Sequence, residues 1–514
     1  MWPDRFFSRF TIFTPRFTAI SFCILGAALL ALNLGKGSLY PWDEALSAMR
    51  AWHMYTDGLS FTVSTSGGPD FNKPPLYYWL AAGTFHLLEP GLLALRLPSV
   101  AFALGCLGGV YFLGRKMTGS AWAGCFALAC LAFNPHWLNF ARLGKLETAV
   151  AFSLVAATAW GCYAKWRHTP AGGIVTALLL CISAWAKHPF FILLPPFFYA
   201  YWRFCDRAEK PLVPFVWCLG TFAVVGSGWY IISLCLWGGE FWRYYFEYNI
   251  AARVLHGVEN HAEGFFFLIH TAFAYGPVAF LCFLASFPAL VACWRKGERT
   301  AALAVVLAWL FLLGMSCMTG KRKIYIVSWY PLCAASAAYG ACWLMRGLKK
   351  WIAVNPRNAL GARMGRLITE PVLLGRCIAL ACVYAVVMTG VTYKATPDHS
   401  PIESAVFREA GKRLKPDALL ITNVDAPAVL DFEVGRVADV AVPIQEEVAP
   451  LMETAFTRAS SGKQVFLVIE EAKRTSSANM DLMKSMAAGF PGVFVSVIAR
   501  SGCFWAASLG VPAQ

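Results

Sequence analysis

Long apolar runs separated by short polar connections fill the first 391 residues of the chain, at 17–34, 75–89, 95–114, 120–134, 148–165, 172–185, 188–203, 213–236, 265–293, 300–318, 324–347 and 372–391. A helix needs about 20 apolar residues to cross a hydrocarbon core of roughly 30 Å, and several runs fall short of that. The pattern therefore predicts 11–13 crossings. Two polar stretches interrupt it, both expected outside: a loop at 35–74 and a second at 237–264, rich in aromatics and charge. Within the first, Asp43, Ser47 and Arg50 share one helical face while Ala45, Met49 and Trp52 form another, which predicts a helix over 43–56 lying on the membrane surface. Gly67-Gly68-Pro69 and Pro74-Pro75 break structure on either side of Asp70 and Lys73.

Beyond residue 395 the apolar runs shorten to strand length, at 418–423, 464–469 and 493–499, and alternate with amphipathic helical stretches at 401–414, 446–459 and 478–488. The predicted fold class is a polytopic α-helical membrane protein with a small C-terminal α/β periplasmic domain, divided into 1–391 and 392–514.

Composition agrees: 58% of the 514 residues are apolar and only 14% charged. The formal charge of +15 concentrates between apolar runs, at Arg5/Arg9/Arg16, Arg115/Lys116, Lys165/Arg167, Arg203/Arg207/Lys210, Arg295/Lys296/Arg299 and 346–366. Positive-inside bias explains these clusters as cytoplasmic, which leaves no case for nucleic acid and places the N-terminus inside and the C-terminal domain outside. One conflict arises. A full crossing at 75–89 would put Arg115 and Lys116 outside, so that run is expected to dip shallowly or to form a hairpin with its neighbour. Most of the seventeen cysteines lie in apolar runs and act as small hydrophobes. No GxxxxGK[ST] loop is present, which argues against an ATP-driven pump.

The candidate chemistry lies in charges on the outer side. Asp43 and Glu44 open the predicted surface helix, where an acid also serves as a cap or offsets the helix dipole; the second role suits Glu44 better than catalysis. Against positive-inside bias, Lys73, Arg142, Lys145, Lys187, Arg243, Arg253, Lys321, Arg322 and Lys323 sit at outer ends of different helices. Cations gathered at a water–membrane boundary point to an anionic ligand such as a phosphate, although lipid headgroups and snorkelling account for a share of them. Lys321–Lys323 are three adjacent residues and cannot all face one site. Glu147 is a second acid, either neutralised by Arg142 and Lys145 or facing Asp43 so that two carboxylates divide base and electrostatic roles. A divalent cation held by Asp43, Glu147 and one histidine is the alternative use of these acids, but no diagnostic ligand spacing supports it. Tyr325 fits either a ligand contact or an aromatic belt.

Six pieces in order resemble the membrane glycosyltransferases that take sugar from a polyprenyl-phosphate carrier, the branch of aminoarabinose transferases and protein O-mannosyltransferases. They are Trp42-Asp43-Glu44, Asn72-Lys73-Pro74-Pro75-Leu76-Tyr77-Tyr78-Trp79, Leu95-Arg96-Leu97-Pro98-Ser99, Arg142 with Glu147 five residues on, Ala186-Lys187-His188-Pro189, and Lys323-x-Tyr325 with Pro331. The resemblance implies that Asp43 is the essential acid, that Lys73, Arg253, Lys323 and Tyr325 surround the carrier phosphate, and that His261 lines the same cavity. Arg142 and Lys187 complete the expected substrate-binding set, with Glu147 beside Asp43 as catalytic. Glu147 stands where the family commonly has Asp, and His188 where it commonly has Gly.

The expected activity is inverting transfer of a sugar, hexose or pentose, from a polyprenyl-phosphate donor in a bacterial inner membrane to a periplasmic glycolipid, glycan or protein. A transporter or flippase of lipid-linked sugars is the rival, using the same cations without chemistry. Against it, no inverted repeat is visible in the sequence.

Overall fold

The computed structural model describes residues 14–40, 43–65, 68–255, 263–354, 401–415, 417–422, 427–434, 440–441, 448–461, 463–470, 478–490, 492–501 and 504–510. The predicted span at 372–391 and the residue His261 lie outside these. Leu92–Thr118, the helical stretch Leu212–Leu255 and Pro277–Trp294 are long and apolar enough to cross a membrane; Pro15–Ala31, Ala121–Ala132, Pro170–Ala186 and Ala302–Cys317 are shorter apolar helices. Large apolar side chains such as Ile24, Leu25, Val224, Leu236, Leu281 and Phe287 stay exposed on this bundle, as lipid-facing positions do. Inside it, small residues let backbones approach. A Cβ on Gly340 would stand 2.0 Å from the Cys282 carbonyl oxygen, so Tyr330–Val354 and Pro277–Trp294 touch main chain to main chain.

The conflict at 75–89 resolves as a hairpin. Leu76–Leu88 has 13 residues, about 20 Å of helix, too short to cross. The chain turns at Glu89 (φ 64) and enters Leu92–Thr118, while the Tyr77 hydroxyl donates to the Leu95 carbonyl at 2.8 Å and Thr84 to the Ala94 carbonyl at 2.7 Å. The long helix then carries Arg115 and Lys116 about 30 Å away from Arg96, to the end remote from the 35–74 loop.

The second expected loop is different in the structure. Residues 237–255 continue the preceding helix, through a kink at Gly238 (φ 50, ψ −123) and a π-helical turn Trp242–Ala252. Its rings supply the reason: Phe241 and Tyr245 stack at 5.4 Å, and with Trp229, Tyr230 and Phe71 they make a small buried cluster that holds the helix together outside the main core.

The surface helix forms at Asp43–Thr56, but both of its faces are covered. Ala45, Ala48, Met49 and Ala51 are buried, and so are Glu44, Ser47 and Arg50. One side packs on Leu76–Leu88, the other on the C-terminal region, whose Phe432 ring lies 6.3 Å from Phe85 and whose Arg408 donates to the Gly37 carbonyl at 3.2 Å. That region carries a five-stranded mixed sheet in the spatial order Val440–Ala441, Leu419–Thr422, Val465–Glu470, Phe504–Gly510, Phe494–Ser501. The first three strands run parallel and the last two pairings are antiparallel.

Candidate active site

Three segments meet at one end of the bundle, and a buried ion pair fixes their junction. Glu44 is fully buried, with Arg96 Nε at 2.7 Å and Nη2 at 3.0 Å. Arg96 spends its other donors on the carbonyls of Leu34, Lys36 and Ser38. The remaining Glu44 capacity accepts the Tyr40 and Gly144 amides, each at 2.7 Å. Gly144 is required there, because a Cβ would meet Leu95 Cγ at 2.7 Å. Burial disfavours the Glu44 charge, yet Arg96 and these amides hold its pKa below the usual carboxylate range. Glu44 is thus an interior anchor that ties the 34–40 and 142–147 segments to Leu92–Thr118, a larger role than offsetting a dipole.

This anchor positions Asp43. The Tyr77 hydroxyl, Ser99 and the Lys145 backbone form a short chain of hydrogen bonds (2.9 Å, then 2.9 Å), which sets the stem of Lys145. The buried Lys145 Nζ stands 3.9 Å from the Tyr40 ring centroid and 3.2 Å from Asp43 Oδ2. Arg322 approaches Asp43 Oδ1 at 3.8 Å. Burial pushes the Asp43 carboxyl up, but Lys145 and Arg322 outweigh it and hold the pKa down, so Asp43 is an ionised, partly exposed carboxylate at neutral pH.

Lys73 lies on the other wall. Arg50 clamps Asp70 through Nε at 2.7 Å and through Nη2, and donates to the Tyr78 hydroxyl at 3.0 Å. Asp70 Oδ1 accepts the Asn72 amide at 2.8 Å, so the 70–73 turn is held by ionic and backbone bonds together. Lys73 has the charges of Lys187, Arg253 and Arg50 around it and Asp43 within electrostatic reach; burial, then these three cations, push its pKa down to about 7.

Lys187 ends the helix Pro170–Ala186, bonded to Glu147 Oε1 at 2.8 Å, with its Nζ 4.7 Å from the Tyr325 ring centroid. Arg253 donates to the Tyr325 hydroxyl at 3.4 Å. His188 faces Lys73, Lys187 and Arg253, and burial together with those cations keeps its pKa well below the ordinary histidine value, hence neutral.

Of the residues expected from sequence, Asp43, Lys73, Lys187, Arg253, Tyr325 and Glu147 converge on this space. Glu147 takes Lys187 as its partner, where the sequence suggested Arg142 or Lys145. Arg142 is fully buried at the end of the short helix Pro135–Ala141. The Lys321–Lys323 run splits three ways: Lys321 donates to the Ser316 carbonyl at 2.6 Å, Arg322 turns to Asp43, and Lys323 is exposed, its charge felt by His136. Lys145, Arg322 and His188 are the additions. The first two already belonged to the set of misplaced outer cations, but no spacing marks which of those nine touches Asp43. Asp43 and Glu147 are each engaged by a lysine, and among the described residues no three His, Cys, Asp or Glu side chains gather as metal ligands.

Residues 72–232 match the family described as dolichyl-phosphate-mannose-protein mannosyltransferase. The chain superposes on ArnT from Cupriavidus metallidurans bound to undecaprenyl phosphate with a TM-score of 0.69 at 16% identity, covering 95% of this chain and 97% of that one. The fold is that of ArnT. The mycobacterial arabinofuranosyltransferase AftD shares it, with a TM-score of 0.57 at 12% identity over 98% of this chain and 40% of that one. An uncharacterised protein of Aquifex aeolicus is 25% identical over 320 residues, so the chain spans 60% of that relative's length. The resemblance carried by the six sequence pieces is borne out by the family match over 72–232 and by the shared fold. The stretch matched to the mannosyltransferase family contains Lys73, Arg142, Lys145, Glu147, Lys187 and His188.

Proposed function

We propose that the chain is an inverting glycosyltransferase that moves a sugar from a polyprenyl-phosphate carrier to an acceptor on the periplasmic side of a bacterial inner membrane. The observation that carries this reading is the pairing of an ionised carboxylate with a separate cation cluster. Asp43 is held as a carboxylate by Lys145 and Arg322, while Lys73, Lys187 and Arg253 gather around Tyr325 and His188.

The chemistry follows from the charges. As the acceptor oxygen bonds to the anomeric carbon, the bond from that carbon to the phosphate oxygen breaks and its electron pair stays on phosphate. The leaving group gains negative charge, which the pre-arranged cations stabilise. Asp43 takes the proton of the acceptor hydroxyl. Attack opposite the departing phosphate inverts the sugar carbon. Glu147 serves the site through Lys187, whose ammonium it holds beside Tyr325. Arg142 and Lys323 belong to the substrate-binding set at its margin. Lipid A-like glycolipid, glycan and protein remain the acceptor classes.

The test is Asp43→Asn in membranes supplied with labelled carrier sugar. Transfer should fall by at least about 100-fold, as loss of a general base does, while bare polyprenyl phosphate still binds. Near-normal transfer by a folded Asp43→Asn protein overturns the assignment. Release of free polyprenyl phosphate on adding acceptor separates transfer from flipping, because a flippase releases none.

A further inference from the structure

Two carboxamides, Asn249 and Asn72, bury hydrogen-bonding atoms that no partner uses. Asn249 is 7% exposed, and neither its Oδ1 nor its Nδ2 has a hydrogen-bond partner; Asn72 Oδ1 is likewise buried without one. A buried amide left unpaired costs about 1–3 kcal/mol for each group, so native chains keep such groups rarely and for a reason.

Their placement gives the reason. Asn249 sits four residues from Tyr245 and four from Arg253 on the π-helical turn, where that spacing keeps side chains on a common face. The Tyr245 hydroxyl donates to the Lys187 carbonyl at 3.2 Å, and Arg253 donates to the Tyr325 hydroxyl at 3.4 Å. Asn249 therefore lies between the two residues that bracket the cation cluster. Asn72 precedes Lys73 on the facing wall, and Phe71 presses that wall against the turn, with ring centroids 5.6 Å from Phe241 and 6.2 Å from Tyr244.

We infer that Asn72 and Asn249 form the sugar subsite of the donor, reading hydroxyl groups of the residue attached to the carrier phosphate. A carboxamide both donates and accepts, as a sugar hydroxyl does, whereas the cations beside it can only donate. Cations for a phosphate next to unpaired amides for a polyol match a sugar joined to a phosphate. The inference rests on the proposed function and adds to it the residues that select the sugar.

The test uses purified full-length protein in detergent and measures binding of bare polyprenyl phosphate and of polyprenyl phosphate carrying mannose, glucose or arabinose. Wild type should bind at least one sugar-bearing carrier more tightly than the bare one. Asn249→Leu, close to isosteric, should weaken that carrier about tenfold, leave bare polyprenyl phosphate within about twofold, and unfold no earlier than wild type on heating, since it removes an unpaired buried amide. Asn72→Ala should show the same selectivity with a smaller loss. Equal losses for sugar-bearing and bare carriers, an unchanged sugar-bearing carrier, or an Asn249→Leu protein of clearly lower thermal stability overturn the inference, as does a wild type in which no sugar adds affinity. Failure of wild type to bind any of the four ligands overturns the proposed function itself.

Discussion

Lys73 sits where burial and three neighbouring cations, Lys187, Arg253 and Arg50, oppose its charge, with Asp43 favouring it. Its pKa of about 7 means that free protein carries the charge below neutrality and loses it as pH rises through 7. A bound phosphate favours the charged form, so at alkaline pH binding must first take up a proton. Affinity for bare polyprenyl phosphate is therefore expected to fall as pH goes from 6.5 to 8.5, by up to about tenfold per unit above the pKa. Lys73→Arg keeps its charge throughout and should flatten that dependence; titration of the ligand's own phosphate is common to both proteins. An equally steep profile in Lys73→Arg would show that Lys73 does not titrate against the ligand. At this scale the sequence was legible for charges that break a rule. Asp43 and Lys73 stand out because positive-inside bias and membrane cost leave them unexplained. Asn249 does not, since a neutral amide breaks no rule until its surroundings are seen to leave it unpaired.

Among elements, the Asp43–Thr56 helix is anchored by Glu44 as well as by its apolar face. Removing either partner of a buried ion pair strands the other, at about 3–5 kcal/mol. Glu44→Gln and Arg96→Met are each expected to lower thermal stability by that order, read from heat-induced loss of the monodisperse detergent-solubilised protein. The double variant should recover part of the loss, and additive losses would show the pair to be unimportant. Helix bounds at 43–56 were legible because a capping acid and a Gly/Pro-rich stretch bracket an amphipathic pattern. The partner of Glu44 was not, since Arg96 lies 52 positions away and looks like one more basic residue near a helix end. The helix at 237–255 was hidden for a related reason: aromatic and charged residues dilute its hydropathy, while ring packing holds it.

For the whole molecule, the C-terminal region packs against the helices that frame the site. Its alternation of strand-length and helical runs was readable, and Leu419–Thr422, Val465–Glu470 and Phe494–Ser501 fall where the sequence placed strands. The last strand, Phe504–Gly510, was missed because its alanines and glycine lower its strand signal, although its pairing with both neighbours completes the sheet. What no local pattern shows is docking: Phe432 against Phe85 sets the region on Leu76–Leu88, the helix that packs beside the one carrying Asp43. Phe432→Ala should weaken this contact by about 2 kcal/mol, raising protease sensitivity of the 401–510 region. Transfer activity should fall with it while the bundle stays inserted. Unchanged proteolysis and activity would show that the contact does not brace the site.

Because Glu44 is locked in the interior and Asp43 is the neighbouring residue, the proposed base is tied directly to a buried, fully bonded anchor. Its main chain cannot follow a substrate as a loop residue could. Alignment must then come from the incoming molecules, and the side-chain torsions of one short acid set the tolerance for error. An acceptor too bulky to place its hydroxyl within that small arc is refused by geometry alone, whatever its affinity for the surrounding surface.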